Sequence, residues 1–138
     1  MHQKEFYTLA EELLQVRTAA RNRSAISRAW LAAEQYGKKY LSHHFNFKVS
    51  QHRIHDALRA TRHKDLAQLG FRLSDLYSQR NAADYRLENR KAERSLFASD
   101  CVNEAKKIID GLNDLRAFSP EDQAEIVQHL RDWQQSSI

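Results

Sequence analysis

The chain has 138 residues, 41% of them hydrophobic and 29% charged, with a formal net charge of +4, long enough for one domain with its own hydrophobic core. Three glycines and one proline are too few for the repeated turns of a sandwich or barrel, and the abundance of Ala, Leu, Arg, Lys, Glu and Gln predicts an all-α fold. Cys101 is the single cysteine, which excludes an intramolecular disulfide and a cysteine-rich zinc site. The stretch from Met1 to Ala10 is polar and amphipathic, without the apolar run of a secretion signal. The longest purely apolar run, Ala29 to Ala33, is far shorter than the roughly twenty residues of a membrane span. The expectation is a cytoplasmic protein with no membrane partner.

No internal repeat, low-complexity tract or linker interrupts the chain. A first helix is predicted from Gln3 to Ala20, with Phe6, Leu9, Ala10, Leu13 and Val16 as its apolar stripe. A second is predicted from Ser24, which is expected to cap it, and presents Ile26, Ala29, Trp30, Ala33, Tyr36, Gly37, Tyr40 and Leu41. Ser42 to Ser50 lacks a helical stripe and reads as a loop, with Ser50 placed to cap a short helix over Gln51 to Thr61. Lys64 to Gln79 is strongly periodic through Leu66, Leu69, Gly70, Leu73, Leu76 and Tyr77. The segment Arg80 to Tyr85 is expected to break that period before a long helix from Lys91 to Arg116. That helix has Ala92, Leu96, Val102, Ala105, Ile109, Leu112 and Leu115 inward and is expected to lie against the first two. Ser119, Pro120, Glu121 and Asp122 announce a last helix, with the serine as cap, the proline in the first turn and the acids at the positive dipole end. Its apolar side, Ile126, Val127, Leu130 and Trp133, either closes the core or supplies an association surface. Residues 1–118 are thus expected to form the bundle and 119–138 a helix and tail of the same domain or an association element.

Charge is unevenly placed. Arg17 to Arg94 holds 17 basic against 7 acidic residues, whereas the two ends together hold 5 against 11. A basic middle suits a phosphate backbone or an acidic protein, and equally an ordinary solvated surface. Arg23, Arg28, Lys38, Lys39, Arg53 and Arg80 are the candidate RNA or phosphate contacts. Arg23 and Arg28 stand about 140° apart around a helix axis, so they need not share a face. Ser24 and Ser27 have no neighbouring base to make them nucleophiles. His52 and His55 share a helical face near His43, His44 and Asp56, but no metal motif is completed, and no metal or other cofactor is expected. Phe45 and Phe47 can stack on exposed bases or anchor their segment to the core.

The order of two motifs, RSAISRAW from Arg23 to Trp30 and then Leu76, Arg80, Ala83, Asp84 and Tyr85, resembles the HEPN family of small helical proteins. The resemblance spans roughly Glu5 to Arg116 and leaves Ser119 to Ile138 as an addition. It implies a four- to five-helix bundle, here with an extra C-terminal helix, that forms homodimers. Many relatives are metal-independent ribonucleases of toxin or antiviral systems, and others are inactive binders of RNA, nucleotides or proteins. After Trp30, where related sequences carry further aromatics or His, this chain has Leu31, Glu34 and Gln35. The ribonuclease motif is an Arg followed, after four to six residues, by a His. Here those positions after Arg80 are Tyr85, Arg86 and Leu87, and Arg59 reaches His63 after only three residues in an earlier helix.

That departure bears on chemistry, because cleavage through a ribose 2′-hydroxyl needs a proton carrier working near neutral pH, and His is the side chain suited to it. Arg80 retains the means to hold a phosphate through its planar guanidinium, and Asp84 to orient it. The bland alternative is an Arg80–Asp84 ion pair with Tyr85 packed on the bundle. The leading expectation is therefore a noncatalytic HEPN-like module that binds RNA or a partner protein in a prokaryotic defence or toxin–antitoxin-like system. Two alternatives stand beside it: a divergent metal-independent endoribonuclease using Arg80, Asp84 and Tyr85, and a structural adaptor docking another protein through its C-terminal helix.

Overall fold

Thr18 decides where the N-terminal helical sequence divides. Its backbone is extended and its side-chain oxygen accepts the Arg21 amide at 3.2 Å, so it satisfies one of the unpaired donors that open a helix. In the computed structural model, which describes residues 3–15, 18–50, 52–86 and 90–136, α1 accordingly runs Gln3–Gln15 and α2 runs Ala19–Phe45. The single first helix expected to Ala20 is thus corrected. Ser24 is not a cap but an exposed residue inside α2, because Thr18 has already taken that role; Val16 lies outside the described residues. The remaining elements are α3 (Ile54–Ala60), α4 (Lys64–Tyr85), a 3₁₀ turn (Arg90–Glu93), α5 (Ser95–Asn113) and α6 (Pro120–Ser136). The fold is all-α, with six α-helices and no strand among the described residues.

α2 is the axis of the bundle. Ala25, Ile26, Ala29, Trp30, Ala32, Ala33, Gly37, Tyr40, Leu41 and Phe45 are all buried, and adjacent pairs such as Ala32 and Ala33 point to different sides. α1, α3, α4, α5 and α6 all contact it. The alanines and Gly37 let neighbouring helices come close without displacing side chains. α2 also continues four residues into the segment expected to be a loop. It ends where Asn46 takes a left-handed conformation, φ 50° and ψ 43°, and its amide returns to the Ser42 carbonyl, a closure that Asn tolerates better than most residues. Phe45 and Phe47 are buried and so anchor the turn to the core.

α3 starts at Ile54, with Arg53 before it and no side-chain cap. Ser50 does not serve as one, and Gln51 lies outside the described residues. α4 does not stop at Gln79 but runs unbroken through Arg80 to Tyr85, which corrects the expected interruption. The helix predicted from Lys91 is instead the 3₁₀ turn followed by α5, which buries Ala98, Cys101, Val102, Ala105, Ile108 and Leu112. Leu96, expected to face inward, is 79% exposed, because the buried side of the first turn of α5 is taken by Ala98, about 200° around the helix from it. α5 does lie against α1 and α2, and Arg72 of α4 reaches Glu104 of α5 through Nε at 2.6 Å and Nη2 at 3.0 Å.

α6 begins as expected: Ser119 Oγ accepts the Asp122 amide at 3.1 Å. It buries Ile126 and Leu130, sets Trp133 beside Phe47 and donates a Gln123 hydrogen bond to the His44 carbonyl. Its apolar side therefore closes the core, and α6 packs with the same bundle. Among the described residues no helix is long and apolar enough to cross a membrane.

Two glycines give opposite expectations for one substitution. A Cβ at Gly70 would stand 2.8 Å from the His55 carbonyl oxygen and 3.0 Å from the Arg59 amide nitrogen, backbone atoms that cannot step aside. Gly70→Ala should destabilise the protein by about 1–3 kcal/mol through overpacking between α3 and α4. At Gly111 the close atom is the Leu69 methyl, at 2.8 Å, the free end of a side chain. Gly111→Ala should stay within about 1 kcal/mol of wild type, since Ala's better helix propensity offsets the adjustment. Urea unfolding of both variants tests the pair.

Candidate functional site

Along α2 the residues Arg23, Ser27, Trp30, Glu34 and Lys38 follow one another at intervals of four, three, four and four, which places them on one helical stripe. Tyr77, Arg80 and Asp84 of α4 stand opposite, and His52 covers the far end. The result is a polar and aromatic seam between two helices rather than a continuous apolar contact.

At one end, Arg23 is 8% exposed. Its Nη1 donates to the Ala82 and Ala83 carbonyls at 3.2 and 3.0 Å, and its Nε lies 3.4 Å from a Glu93 carboxylate oxygen. The last turn of a helix leaves such carbonyls short of partners; that of Ala82 also accepts the Arg86 amide at 3.2 Å. Arg23 thus supplies the closure for α4 and ties the 3₁₀ turn to α2. This explains why the helix continues through Arg80 to Tyr85. Asn22 adds a bond to the Glu93 carbonyl at 2.7 Å.

In the middle, Arg80 Nε lies 3.0 Å from Asp84 Oδ2 without the alignment of a hydrogen bond, while Nη1 donates to Asn81 Oδ1 at 3.2 Å. Ser27 Oγ donates to the same Asp84 oxygen at 3.0 Å. The guanidinium lies 4.8 Å from the centre of the fully buried Trp30 ring and 5.4 Å from that of Tyr85, within cation–π range of both. Arg80, Asp84 and Tyr85 are therefore brought together, with Trp30 as the floor. Tyr85 is 71% exposed and does not pack on the bundle, which corrects that part of the ion-pair reading.

Beyond Trp30, the Glu34 carboxylate is 1% exposed. Lys38 Nζ donates to it at 2.8 Å, and His52 Nδ1 stands 3.2 Å from both its oxygens. A buried carboxylate requires such partners. The His52 ring meets Trp30 edge-on at 4.9 Å, and His55 stacks on Tyr77 at 5.1 Å. His52 and His55 thus serve the seam, and no group of metal ligands occurs among the described residues. Burial holds the His55 imidazole below the usual histidine range, against the opposing pull of Asp56.

The other basic candidates lie outside the seam. Arg28 and Lys39 are exposed, and the Arg53 guanidinium rests 4.7 Å over the Trp133 ring of α6. Lys38 and Lys39 line a cleft of about 390 Å³ together with Lys48, which the Asn46 turn brings back beside α2. No carboxylate is among the described residues lining that cleft, and neither Lys39 nor Lys48 has an ion-pair partner among the described residues. Lys48, Glu34, His52 and Trp30 were not among the residues that sequence reasoning selected. The signal for Trp30 and Glu34 was the stripe shared with Ser27 and Lys38; Lys48 and His52 come into place only through the turn that ends α2.

Comparison with protein-family models, curated proteins and solved structures found no match for this chain.

Two outcomes follow from this geometry. Arg23→Ala should cost about 2–4 kcal/mol, since it leaves carbonyls of α4 and a charged partner unsatisfied; Arg23→Lys, lacking the forked donor set, should recover only part. Thermal unfolding reads both. His55 is held neutral in the fold while the unfolded chain takes up a proton near its ordinary value of about 6.5. Stability should therefore fall as pH drops from 6.5 through the lower folded value. His55→Gln, with no proton to gain, should show a flatter profile between pH 7.5 and 5 in the same assay.

Proposed function

We propose that this chain is a noncatalytic, HEPN-like, homodimeric RNA-binding module of a prokaryotic defence or toxin–antitoxin-like system. The reading draws its family from the two sequence motifs and their order. Its RNA contact is the lysine-lined side of α2. The observation that carries it is the convergence of Lys39 and Lys48, neither ion-paired among the described residues, on one cleft beside Lys38, whose ammonium is held by Glu34. A cluster of ammonium groups of this kind gains affinity for a phosphate backbone by releasing condensed counterions. Arg28 extends the basic surface, whereas Arg23 is engaged by helix-end carbonyls and contributes to folding.

The noncatalytic part rests on Arg80. Its guanidinium is already engaged by Asp84, Asn81 and two rings, and no His occupies the spacing at which the resemblance would place a proton carrier.

RNA retention in gel-shift assays should weaken steeply between about 50 and 200 mM salt, and Lys39→Glu with Lys48→Glu should weaken it at least roughly tenfold at fixed salt. Neither wild type nor Arg80→Ala should cleave single-stranded or structured RNA without metal. Salt-insensitive or absent RNA binding would remove the reading. Robust cleavage lost in Arg80→Ala, with folding and oligomeric state unchanged, would replace it with the ribonuclease reading.

A further inference from the structure

The lysine cleft is not isolated. Lys39 also lines a second cleft of about 280 Å³ with Tyr36, Tyr40, His43 and His44. Tyr36 in turn borders a third, of about 310 Å³, where it faces Tyr7, Ile109 and Lys106. Gln3 belongs to both the first and the third. The three hollows are therefore contiguous around the C-terminal half of α2. Tyr36, Lys39, Tyr40, His43 and His44 recur at the three- and four-residue intervals of one helix face, over about 12 Å of helix axis.

On this face one cation, Lys39, stands among four ring systems. The Tyr40 and His44 rings lie 4.2 Å apart at 36°, and His43 meets His44 at 5.0 Å nearly at right angles. Tyr36 is half-buried and fixed by its hydroxyl, which donates to Asn113 Oδ1 at 2.9 Å. Burial and the neighbouring Tyr36 push the Tyr40 hydroxyl up to about 12, so Tyr40 presents a neutral phenol, not a phenolate. Among the described residues, Asp110 is the only acidic one that lines any of the three hollows, and it does so in the third.

We infer that this groove binds single-stranded RNA, with phosphates at Lys39 and Lys48 and unpaired bases stacked against Tyr36 and His44. The inference rests on the RNA-binding reading above and adds which form of RNA is taken and which side chains discriminate it. Lysines alone attract any phosphate backbone. Rings set in hollows beside them contribute only when a base offers its face, and in a duplex those faces are stacked on one another. An acidic peptide would satisfy the lysines but would leave the rings without a matching partner.

The test uses the full chain with a mixed-sequence 12-nucleotide RNA, the same strand annealed to its complement, and a copy carrying 2-aminopurine at central positions. Single-stranded RNA should bind at least about tenfold more tightly than the duplex, with 2-aminopurine fluorescence quenched on binding. Tyr36→Ala should weaken single-strand binding roughly tenfold and leave duplex binding unchanged, while Tyr36→Phe, which keeps the ring but loses the bond to Asn113, should stay near wild type. His44→Ala, at an exposed position, repeats the ring test where folding is not at stake. Equal affinity for single and double strands, or no loss in either alanine variant, overturns the inference. If binding then still falls with salt and with Lys39→Glu, the RNA-binding reading survives alone. Absence of RNA binding, or polyglutamate competing as well as RNA, overturns both.

Discussion

The bundle depends on α2 being covered on nearly every side. A helix in that position must be thin where neighbours cross it, and the series Ala25, Ala29, Ala32, Ala33 and Gly37 makes it so. Bulk is confined to Ile26, Trp30, Tyr40 and Leu41, which fill the spaces between crossings. Interiors packed to the density of organic crystals tolerate little rearrangement, so each neighbouring helix takes its place from where α2 is narrow. α5 and α1 cover one part, α4 another, and α3 and α6 close the end near Phe45.

Against this apolar background the seam between α2 and α4 is costly. A carboxylate almost without solvent contact and two largely buried arginine side chains lose hydration that an alkyl core would never have had. The compensation is local and complete enough to hold: Lys38 and His52 on Glu34, carbonyls on Arg23, Asp84 and Trp30 on Arg80. Such an arrangement fixes the angular register of α4 on α2, since a rotation of one residue would separate every pair at once. The same commitments that orient Arg80 restrict its access to an external phosphate.

Much of the helical content was legible because apolar spacing survives any packing arrangement. Leu66, Leu69, Leu73 and Leu76 are buried, as their period predicts, and Ser119 caps α6 as its local sequence predicts. The failures share a cause: they were decided by partners distant in the chain or by competition between adjacent candidates. Thr18 took the cap from Ser24. α4 continued to Tyr85 because Arg23, about sixty residues earlier, closes its carbonyls. Leu96 looked like core by spacing, yet Ala98, about 200° around the helix from it, takes the buried side of that turn. Of the candidate site, the lysines were visible as charges but their convergence was not, since it depends on a chain reversal. The seam's stripe was present in the sequence but was obscured by treating Arg23, Trp30 and Glu34 as separate features.

That reversal at Asn46 has a consequence for how the surface can diversify. The left-handed residue ends α2 and turns the chain within two positions onto the buried Phe47, so Lys48 emerges beside Lys39 without any rearrangement of the helices below. The segment from Lys48 to Arg53 is bounded by anchored residues, Phe47 before it and Ile54 after it. Within it His52 is committed to Glu34 and Arg53 to Trp133, so substitutions at the exposed Lys48 and Ser50 are the ones that can redraw the rim of the groove while the bundle keeps its packing. The chemistry of that rim can thereby drift at two loop positions at little thermodynamic risk to the fold, whereas its floor, on α2, cannot change without touching the core.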